Sequence, residues 1–540
     1  MTNKRHALPE HTFDALVIGG GMAGAGVARD LALRGAAVAL VEKADFASGT
    51  SSRSSKLIHG GLRYLELAEF RLVRESLRER RHLERLAPHL VRPLPFLVPV
   101  YRGGTRGLIT VRIGMWLYDL LTPGKTTERY RVLRAVEALA LEPAIKAEDL
   151  RGAGYYFDDL LVLPERLCLE NALSAARHGA RVLNYCQVEG FVRGAAGIEG
   201  VTVRDLVTGQ VSTIRARVVV NAAGPWVDRV RELAGVRDAG PRVVRTTKGI
   251  HCLLPQVTER AVYLSTGDDR MIFVIPWRGF SLVGTTDTDF DGDPDRVWAT
   301  REEVIYLLDA VHAALPDRRV SLDHVRYTYA GVRPLAWAPG PSASRLSREH
   351  KVVSEAGGSF LSVTGTKLTC FRSLAEAVGD LVMERLARRA ASRSARLSLD
   401  GLDEDVGKVE ARVMLDVSEE MAATGLPRET IQALVETYGR GYGRVVELAR
   451  KLPDGFERLC PQNPEIVAQL HHAVHEEMAV SLQDVLLRRT AIGQSACLGL
   501  DCAPGIGVRM AELSGWSSRR LDAELQAYQQ HVERSRRFRR

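Results

Sequence analysis

The sequence has no run of about 18 apolar residues, the length that a helix needs to cross a bilayer. Aromatic residues make up only 6% of its 540 residues, and 74 basic against 66 acidic residues leave a net charge of only +8. With 45% hydrophobic and 26% charged residues, the composition excludes disordered, collagen-like and disulfide-scaffold chains. No nucleic-acid recognition motif accompanies the basic residues, so we expect no binding to nucleic acid.

Cysteine is also scarce, and the cysteines do not have the spacing of a metal or disulfide motif. The seven cysteines form an odd set without a Cys-x-x-Cys pair, which favours reduced, buried thiols and predicts neither disulfides nor a structural metal. The polar start of the chain, with Lys4 and Arg5, lacks the apolar segment of a secretory signal. We therefore expect the chain to stay in the cytoplasm.

The beginning of the chain predicts a βαβ unit. Apolar runs at residues 15–18 and 36–41 flank a glycine cluster and a helical pattern that ends near Leu33, with Gly35 as its cap. Later apolar runs between short turns predict an antiparallel sheet inserted beside the first domain. These runs are residues 201–203, 211–214, 218–221, 271–275 and 280–283, with Arg278-Gly279 as a hairpin turn.

Composition shifts predict the domain boundaries. Residues 12–390 form one region in which the βαβ domain and the inserted sheet are interleaved, and residues 391–407 form a linker. Residues 408–528 have a helical pattern, and residues 529–540 form a basic tail. A charge-dense amphipathic helix is predicted over residues 66–86.

One segment has the composition of a membrane-interface helix. Residues 108–121 are mostly apolar or aromatic and include Trp116, while arginines such as Arg112 and Arg129 surround them. Such a segment can lie in a membrane interface without crossing it, and a buried core helix is the alternative. The basic tail favours the same anionic surface.

The glycine cluster carries the first functional motif. Gly19, Gly21 and Gly24 satisfy G-x-G-x-x-G between a strand and a helix, and Glu42 ends the second strand. The first glycine permits a tight turn, the second lets a pyrophosphate approach the backbone, and the third packs the helix on the strand. Glu42 is placed to accept a hydrogen bond from a ribose hydroxyl. The motif predicts a bound dinucleotide but does not separate NAD from FAD.

Further motifs make the prediction specific. They are Ser51-Ser52-Arg53-Ser54-Ser55-Lys56-Leu57-Ile58-His59-Gly60-Gly61-Leu62-Arg63-Tyr64, Asn221-Ala222-Ala223-Gly224-Pro225-Trp226, Lys248-Gly249-Ile250-His251, Ile275-Pro276-Trp277, Gly284-Thr285-Thr286-Asp287, Gly331-Val332-Arg333-Pro334-Leu335, Leu346-Ser347-Arg348-Glu349 and Gly365-Thr366-Lys367-Leu368-Thr369. In this order they resemble the FAD-dependent glycerol-3-phosphate dehydrogenases from about Phe13 to Arg372. The later helical pattern resembles that family's C-terminal domain.

The resemblance implies an α/β fold in which an FAD-binding, Rossmann-like, doubly wound domain carries an inserted antiparallel-sheet substrate domain, followed by an all-α C-terminal domain. It implies noncovalent FAD, so no bond to His59 is predicted. The family oxidises sn-glycerol 3-phosphate to dihydroxyacetone phosphate, with hydride passing from C2 to flavin N5 and electrons to ubiquinone or menaquinone. Peripheral attachment to the cytoplasmic membrane and a homodimer are also implied. An oxygen-using glycerol-phosphate oxidase and an FAD-dependent amine or amino-acid oxidase remain alternatives.

The resemblance also implies roles for individual residues. His251 is the candidate base, Arg63, Arg333 and Arg348 are the phosphate ligands, and Lys367 places a positive charge near the flavin or the substrate. Tyr64 is a further substrate-binding residue. The implied cofactor-binding residues are Gly19, Gly21, Gly24, Glu42, Thr50, Ser51, Ser52, Ser54, Ser55, Lys56, Leu57, Val188, Gly224, Gly365, Lys367, Leu368 and Thr369.

Two other motifs do not predict metal sites. The segment from Asp287 to Gly292 imitates the opening of an EF-hand loop, but Trp298 occupies the position of the required glutamate. His471, His472 and His475 include a pair one helical turn apart, yet no H-E-x-x-H pattern accompanies them, so we expect solvated histidines on a polar helix face.

Overall fold

The computed structural model describes residues 11–539 except 105, 123, 125–126, 196, 239, 267–269, 340–347, 366, 407–420 and 422. Several features discussed above lie outside the described residues. They are the polar start with Lys4 and Arg5, the start of the predicted helical domain at residue 408, and Leu346, Ser347 and Thr366 of the motifs.

The strands follow one another along most of the first 364 residues. In chain order they are β1 Phe13–Ile18, β2 Val38–Val41, β3 Leu57–Ile58, β4 Val91–Tyr101, β5 Arg131–Arg134, β6 Leu150–Leu161, β7 Arg181–Leu183, β8 Cys186–Gly194, β9 Gly197–Asp205, β10 Val211–Asn221, β11 Val244–Pro255, β12 Ala261–Ser265, β13 Met271–Trp277, β14 Phe280–Gly284, β15 Thr288–Asp289, β16 Tyr327–Ala336, β17 Lys351–Glu355 and β18 Phe360–Thr364.

Helices connect the strands and then make up most of the C-terminal part. They are α1 Met22–Leu33, α2 Arg63–Glu66, α3 Phe70–Leu86, α4 Leu108–Leu120, α5 Ala135–Leu141, α6 Pro164–Arg177, α7 Val227–Ala234, α8 Arg301–Ala314, α9 Phe371–Arg385, α10 Arg428–Tyr438, α11 Tyr442–Lys451, α12 Val467–His475, α13 Leu482–Asp484, α14 Ala503–Ser514 and α15 Ser518–Ser535. Among the described helices, none is both long and apolar enough to cross a membrane.

The first sheet is the nucleotide-binding layer, with strand order β17-β18-β10-β1-β2-β7 and with β9 and β8 added beside β10. β1 pairs in parallel with both β2 and β10, and α1 packs against β1 and β2 and is flanked by α6 and α9. The prediction that residues 201–203 belong to the inserted sheet is wrong, because they lie in β9 of the first sheet. The same prediction for residues 211–214 and 218–221 is also wrong. They form the single strand β10, whose first half pairs with β9 and whose second half pairs with β1.

The second sheet has the order β15-β11-β14-β13-β12-β4-β6-β3, with β16 paired to β11 and β5 paired to β6. Its neighbours are antiparallel, as predicted, except that β12 and β4 are parallel. Arg278 and Gly279 both have positive φ at the β13–β14 hairpin, which confirms the predicted turn. Pro93, Pro95 and Pro99 lie inside β4.

The last helices pack against the rest of the chain. The predicted boundary of a basic tail at residue 529 falls inside α15, and Phe538 beyond that helix is buried. Arg537 stacks on Trp298, 4.3 Å from the ring centroid. The predicted linker is also packed, because Arg29 of α1 donates hydrogen bonds to the carbonyl oxygen of Leu397 within it. Neither segment is a free extension.

Candidate active site

A cavity of about 860 Å³ lies where the carboxyl ends of β1 and β2 face the second sheet. Its volume falls within the range of about 300–1,000 Å³ that ligand and cofactor sites occupy. In open α/β sheets, ligands bind beyond the carboxyl ends of the strands, and the cavity has that position. It extends from the glycine turn after β1 to side chains of β11, β13 and β16.

The glycine turn leaves space for a ligand only because its residues lack side chains. Gly19 has a φ of 106°, and a Cβ there would lie 2.7 Å from the carbonyl oxygen of Ala222. Gly21 is the N-cap residue of α1, and as a glycine it has no side chain that could cap the helix. Backbone N–H groups of the first helical turn can therefore face a phosphate. Gly19 and Gly21 both line the cavity.

Gly24 lies behind the turn and does not line the cavity. A Cβ at this position would come within 1.9 Å of the carbonyl oxygen of Gly19, so the close packing of α1 on β1 requires glycine here. This arrangement matches the expected reason for the third glycine of the motif.

Substitution Gly24→Ala is expected to destabilise the fold by about 1–3 kcal/mol and to reduce bound cofactor, because the methyl group collides with the backbone of the turn. Cofactor absorbance per chain and thermal unfolding measure both effects. Gly443→Ala is the matched control, since a Cβ at this helical glycine meets nothing within 4 Å. Equal cofactor content in the two variants would contradict the role of the turn.

Glu42 is fixed at the end of β2. Its carboxylate accepts hydrogen bonds from the backbone N–H groups of Gly20 at 2.7 Å and Ala44 at 2.9 Å. Burial raises the pKa of Glu42, and the two N–H donors oppose that shift. The side chain lines the cavity beside the glycine turn and is held where a ribose hydroxyl can donate to it.

Most of the predicted cofactor-binding residues come together around the cavity. Those that line it are Gly19, Gly21, Glu42, Thr50, Ser51, Ser54, Ser55, Leu57, Val188, Gly224, Gly365, Lys367, Leu368 and Thr369. Ser51 Oγ accepts a hydrogen bond from the N–H of Met22, so the serine loop is fastened to the start of α1.

Two predicted cofactor residues point elsewhere. The fully buried Lys56 lies over the ring of Trp277 and has its Nζ 3.7 Å from Glu165. Ser52 donates to the carbonyl oxygen of Gly49. Neither side chain lines the cavity. Ser52 ends a single 3-10 turn, and Lys56 has a positive φ of 56°, which turns its side chain away from those of its neighbours.

His251 lies in the middle of β11, between two neighbouring strands. It is opposite Gly284 on one side and Tyr329 on the other, and a Cβ on Gly284 would lie 2.4 Å from the imidazole. The Tyr329 ring stacks on the imidazole at 4.9 Å, and Ser55 Oγ is 2.9 Å from Nε2. These three neighbours fix the ring at the cavity wall.

The environment of His251 keeps the imidazole neutral. Burial, and then the positive charges of Arg333 and Lys56, lower its pKa well below the ordinary value. Its Nδ1 is buried and has no hydrogen-bond partner among the described residues. A neutral imidazole can accept a proton, which is the chemistry expected of a base.

Two arginines converge on one carboxylate at the same end of the cavity. Arg333 of β16 and Arg348 before β17 bind the two oxygens of Asp287, at 3.0 and 2.9 Å. Although burial alone would raise the pKa of Asp287, the two guanidinium groups hold it below its ordinary value. Arg333 crosses the backbone at Gly249, where a Cβ would lie 2.2 Å from its guanidinium.

Arg63 and Tyr64 start the short helix α2 and line the cavity. Within the described part of the chain, Arg63 makes no ion pair, so its guanidinium is available to an anion. Arg63, Arg333 and Arg348 together give this end of the cavity a set of planar donors suited to phosphate.

Lys367 is buried at the cavity wall. Its Nζ donates to the carbonyl oxygens of His59 at 2.8 Å and Gly60 at 3.0 Å and to Ser76 Oγ at 3.0 Å. Burial lowers the pKa of Lys367 to about 8, so the ammonium group remains charged at neutral pH. The left-handed Gly365, with a φ of 72°, turns the chain just before it.

Sequence reasoning missed two residues of this site. Asp287 belongs to one of the resembling motifs and to the imitation calcium loop, but the sequence predicts no site role for it, whereas it pairs with Arg333 and Arg348. Tyr329 was not singled out, although it stacks on His251 and donates to the carbonyl oxygen of Ser54. The strand register that brings Tyr329 opposite His251 has no signal in either local sequence. His472 also differs from the expected solvated histidine, because it is 3.3 Å from buried Glu477.

Two family models match the chain. The model described as FAD dependent oxidoreductase matches residues 14–367, and the model described as C-terminal domain of alpha-glycerophosphate oxidase matches residues 392–521. The first match contains every residue that lines the cavity except Leu368 and Thr369, and the second covers most of the helical part.

Similar proteins cover nearly the full chain. A glycerol-3-phosphate dehydrogenase of Synechocystis sp. is 38% identical and covers 97% of this chain and 97% of its own length. An aerobic glycerol-3-phosphate dehydrogenase of Staphylococcus haemolyticus is 37% identical, covering 89% of this chain and 87% of its own. The solved glycerol-3-phosphate dehydrogenase of Bacillus halodurans, complexed with FAD, superposes with a TM-score of 0.79 at 30% identity, covering 98% of this chain and 95% of its own.

Proposed function

Because the chain belongs to the FAD-dependent glycerol-3-phosphate dehydrogenase family, we propose that it oxidises sn-glycerol 3-phosphate to dihydroxyacetone phosphate and passes the electrons to a membrane quinone. The observation that carries this proposal is the convergence of Arg63, Arg333 and Arg348 with His251 at one end of the cofactor cavity. That end joins a set of phosphate ligands to a proton acceptor.

The cavity fits FAD, the cofactor of this family. The side-chain-free turn at Gly19 and Gly21, which leads directly into α1, suits a pyrophosphate, and Glu42 suits a ribose. FAD, when bound, supplies the two-electron oxidant for the alcohol. The chain's own residues must then bind the phosphate, orient the carbinol carbon and take the hydroxyl proton.

The arginines bind the phosphate in this proposal. Arg333 and Arg348 are already oriented by Asp287, so little side-chain freedom is lost when a dianion joins them. Arg63 adds a guanidinium that has no carboxylate partner in the described chain. The three arginines carry three positive charges against the one negative charge of Asp287, and a phosphate dianion neutralises the remaining two.

His251 takes the proton of the substrate hydroxyl, since its imidazole is held neutral and fixed by Tyr329 and Ser55. Lys367, charged at neutral pH, stabilises negative charge that develops at the wall near His59 and Gly60. The two residues therefore have different roles, because His251 accepts a proton whereas Lys367 keeps its proton and its positive charge.

Substrate comparison tests the proposal against an amine or amino-acid oxidase. We expect dye-linked turnover of sn-glycerol 3-phosphate with a kcat/KM at least about 10³-fold above that of glycerol, which corresponds to about 4 kcal/mol, because glycerol lacks the phosphate that the three arginines bind. Turnover of amines or amino acids in preference to glycerol 3-phosphate would contradict the assignment.

The proposal that the electron acceptor is a membrane quinone is supported by an exposed apolar surface of α4. Ile109, Ile113, Trp116 and Leu120 form one exposed stripe, with exposed fractions of 77, 58, 54 and 66%. Val111, Met115 and Tyr118 on the opposite side are buried. A helix with one apolar exposed face can lie in a membrane interface, where a quinone is dissolved. The neighbouring exposed Arg112 contributes about 1 kcal/mol at an anionic leaflet.

The double variant Ile113→Ser/Trp116→Ser is expected to lose binding to vesicles that contain anionic lipid, while its dye-linked activity in solution stays unchanged. Vesicle co-sedimentation at moderate salt measures the loss. Val136→Ser is the matched control, because Val136 is 77% exposed but lies on α5, outside the stripe. Undiminished sedimentation of the double variant would remove α4 from the membrane surface.

The domain division is part of the same proposal. In this division residues 12–390 bind cofactor and substrate, residues 391–407 connect them to a C-terminal domain of residues 408–528, and the last residues 529–540 follow. The two family matches, which end at residue 367 and begin at residue 392, support a division near residue 390.

A further inference from the structure

Four potential metal ligands meet in the helical part of the chain, away from the cofactor cavity. They are Cys460, Cys497, Asp501 and Cys502, and their ligand atoms all lie within 4.8 Å of one another. Cys460 follows α11, whereas the other three come just before α14. Cys460 and Cys502 are buried, Cys497 is half-buried and Asp501 is exposed, so an ion could enter from one side.

The spacing of the sulfur atoms suits a single tetrahedral ion. Cys460 Sγ and Cys497 Sγ are 3.8 Å apart. Zinc–sulfur bonds of about 2.3 Å in a tetrahedron place two thiolates about 3.8 Å apart, so this pair already has that separation. An iron–sulfur cluster inserts several atoms between its thiolates and requires a wider set than one within 4.8 Å.

Hydrogen-bond donors surround the sulfur atoms. Asn463 Nδ2 is 2.9 Å from Cys460 Sγ and 3.3 Å from Cys497 Sγ. The N–H of Gly499 donates to Cys497 Sγ at 3.3 Å, and Ser495 Oγ lies 3.3 Å from the same atom. A neutral thiol is a weak acceptor and has little use for several donors, whereas a metal-bound thiolate is stabilised by them.

The carboxylate is oriented in a similar way. Gln462 Nε2 donates to Asp501 Oδ2 at 2.9 Å. The supporting amides therefore come from Gln462 and Asn463, two neighbours of Cys460, and they reach across to Asp501 and Cys497. Such outer contacts are typical of metal sites, where they fix the position of the ligands.

We propose that Cys460, Cys497, Cys502 and Asp501 bind one structural Zn²⁺. Three thiolates and one carboxylate complete a closed tetrahedral shell, and thiolate ligands favour zinc over magnesium or calcium. The ion joins the segment after α11 to the segment that starts α14. Because the carbonyl oxygen of neighbouring Leu498 accepts a hydrogen bond from Tyr528 of α15, the ion also supports the last helix. The sequence predicts no metal, since the seven cysteines form an odd set without a Cys-x-x-Cys pair.

Metal analysis of the full chain with FAD, purified without a chelator or a metal-affinity tag, tests the site. About one zinc per chain is expected. Cys502→Ser is the informative variant, because serine is a good residue at the position before α14 and the helix is retained. Zinc content should fall at least about tenfold. Cys252→Ala, a buried cysteine of β11 outside the cluster, is the control and should keep its zinc.

A second measurement does not depend on the folding of any cysteine variant. Wild-type chain freed of metal by a chelator under reducing conditions is titrated with Co²⁺, and thiolate-to-cobalt absorption should reach a plateau at one equivalent. Asp501→Ala, a change at an exposed position, should weaken cobalt binding at least about tenfold. Absence of both zinc and thiolate–cobalt absorption would overturn the proposal, and so would a Cys460–Cys497 disulfide in the purified chain or zinc unaffected by Cys502→Ser.

Discussion

The His251→Asn variant is expected to lose about 10²- to 10⁴-fold in kcat, the usual contribution of a positioned base, while it keeps its FAD. The reason is that the imidazole is buried at the cavity wall, held by Tyr329 and Ser55, and neutral. Stopped-flow reduction of the flavin by sn-glycerol 3-phosphate measures the loss in the chemical step.

A matched histidine separates catalysis from packing. His531 is half-buried, desolvation lowers its pKa to about 3, and it is hydrogen-bonded to Tyr327 of the same aromatic group. It does not line the cavity, so His531→Gln should keep kcat within about threefold while it costs some stability. If both variants lose the same activity, the loss reports a disturbed fold and His251 is not the base.

The same residue predicts the acid side of the pH profile. A base works only when it is unprotonated, and the unprotonated form dominates above its pKa. Because burial and the charges of Arg333 and Lys56 lower the pKa of His251 well below the ordinary value, kcat/KM should stay level as pH falls past 6.5. The ionisation of the substrate phosphate, near about pH 6, must be corrected for. A corrected loss centred at or above 6.5 would contradict a neutral, desolvated His251.

Arg333→Ala is expected to raise the KM for sn-glycerol 3-phosphate by about 30- to 1,000-fold, which corresponds to about 2–4 kcal/mol of lost charged contacts. Its FAD content should change little, because Arg333 contacts Asp287, Thr285 and the carbonyl oxygen of Thr286 at the substrate end of the cavity. Steady-state kinetics and flavin absorbance per chain distinguish the two effects.

The control for Arg333 is another arginine–aspartate pair in the same sheet. Arg245 of β11 binds Asp289 of β15 at 2.8 Å, but neither residue lines the cavity. Arg245→Ala should leave KM within about twofold, as expected for an exposed ion pair. A KM for Arg333→Ala that matches that of Arg245→Ala would exclude Arg333 from phosphate binding.

The local features of the site follow from the sequence. The turn at Gly19 and Gly21 lies between adjacent elements, so a short motif specifies it together with Glu42 at the end of β2. The side chain of His251 could be assigned only through the resemblance, because its neighbours Gly284 and Tyr329 come from distant strands. Non-local pairing of this kind leaves no periodic signal in either segment.

β10 was predicted to lie in the wrong sheet, although its sequence contains a signal for the correct one. Residues 218–220 are three consecutive valines, all fully buried, and a continuous apolar run is typical of a parallel strand covered on both faces. Its alternating first half, residues 211–214, does pair in antiparallel fashion, but with β9 of the first sheet and not within the inserted sheet. Lys56 illustrates a different limit, since membership of a motif does not give the direction of a side chain.

Anaerobic addition of sn-glycerol 3-phosphate to the FAD-loaded chain tests the central claim most directly. The long-wavelength absorption band of oxidised flavin should bleach with this substrate and not with glycerol, and a soluble quinone should restore the band faster than oxygen does. A band that stays unchanged with glycerol 3-phosphate, or that bleaches instead with amines or amino acids, would contradict the proposed function.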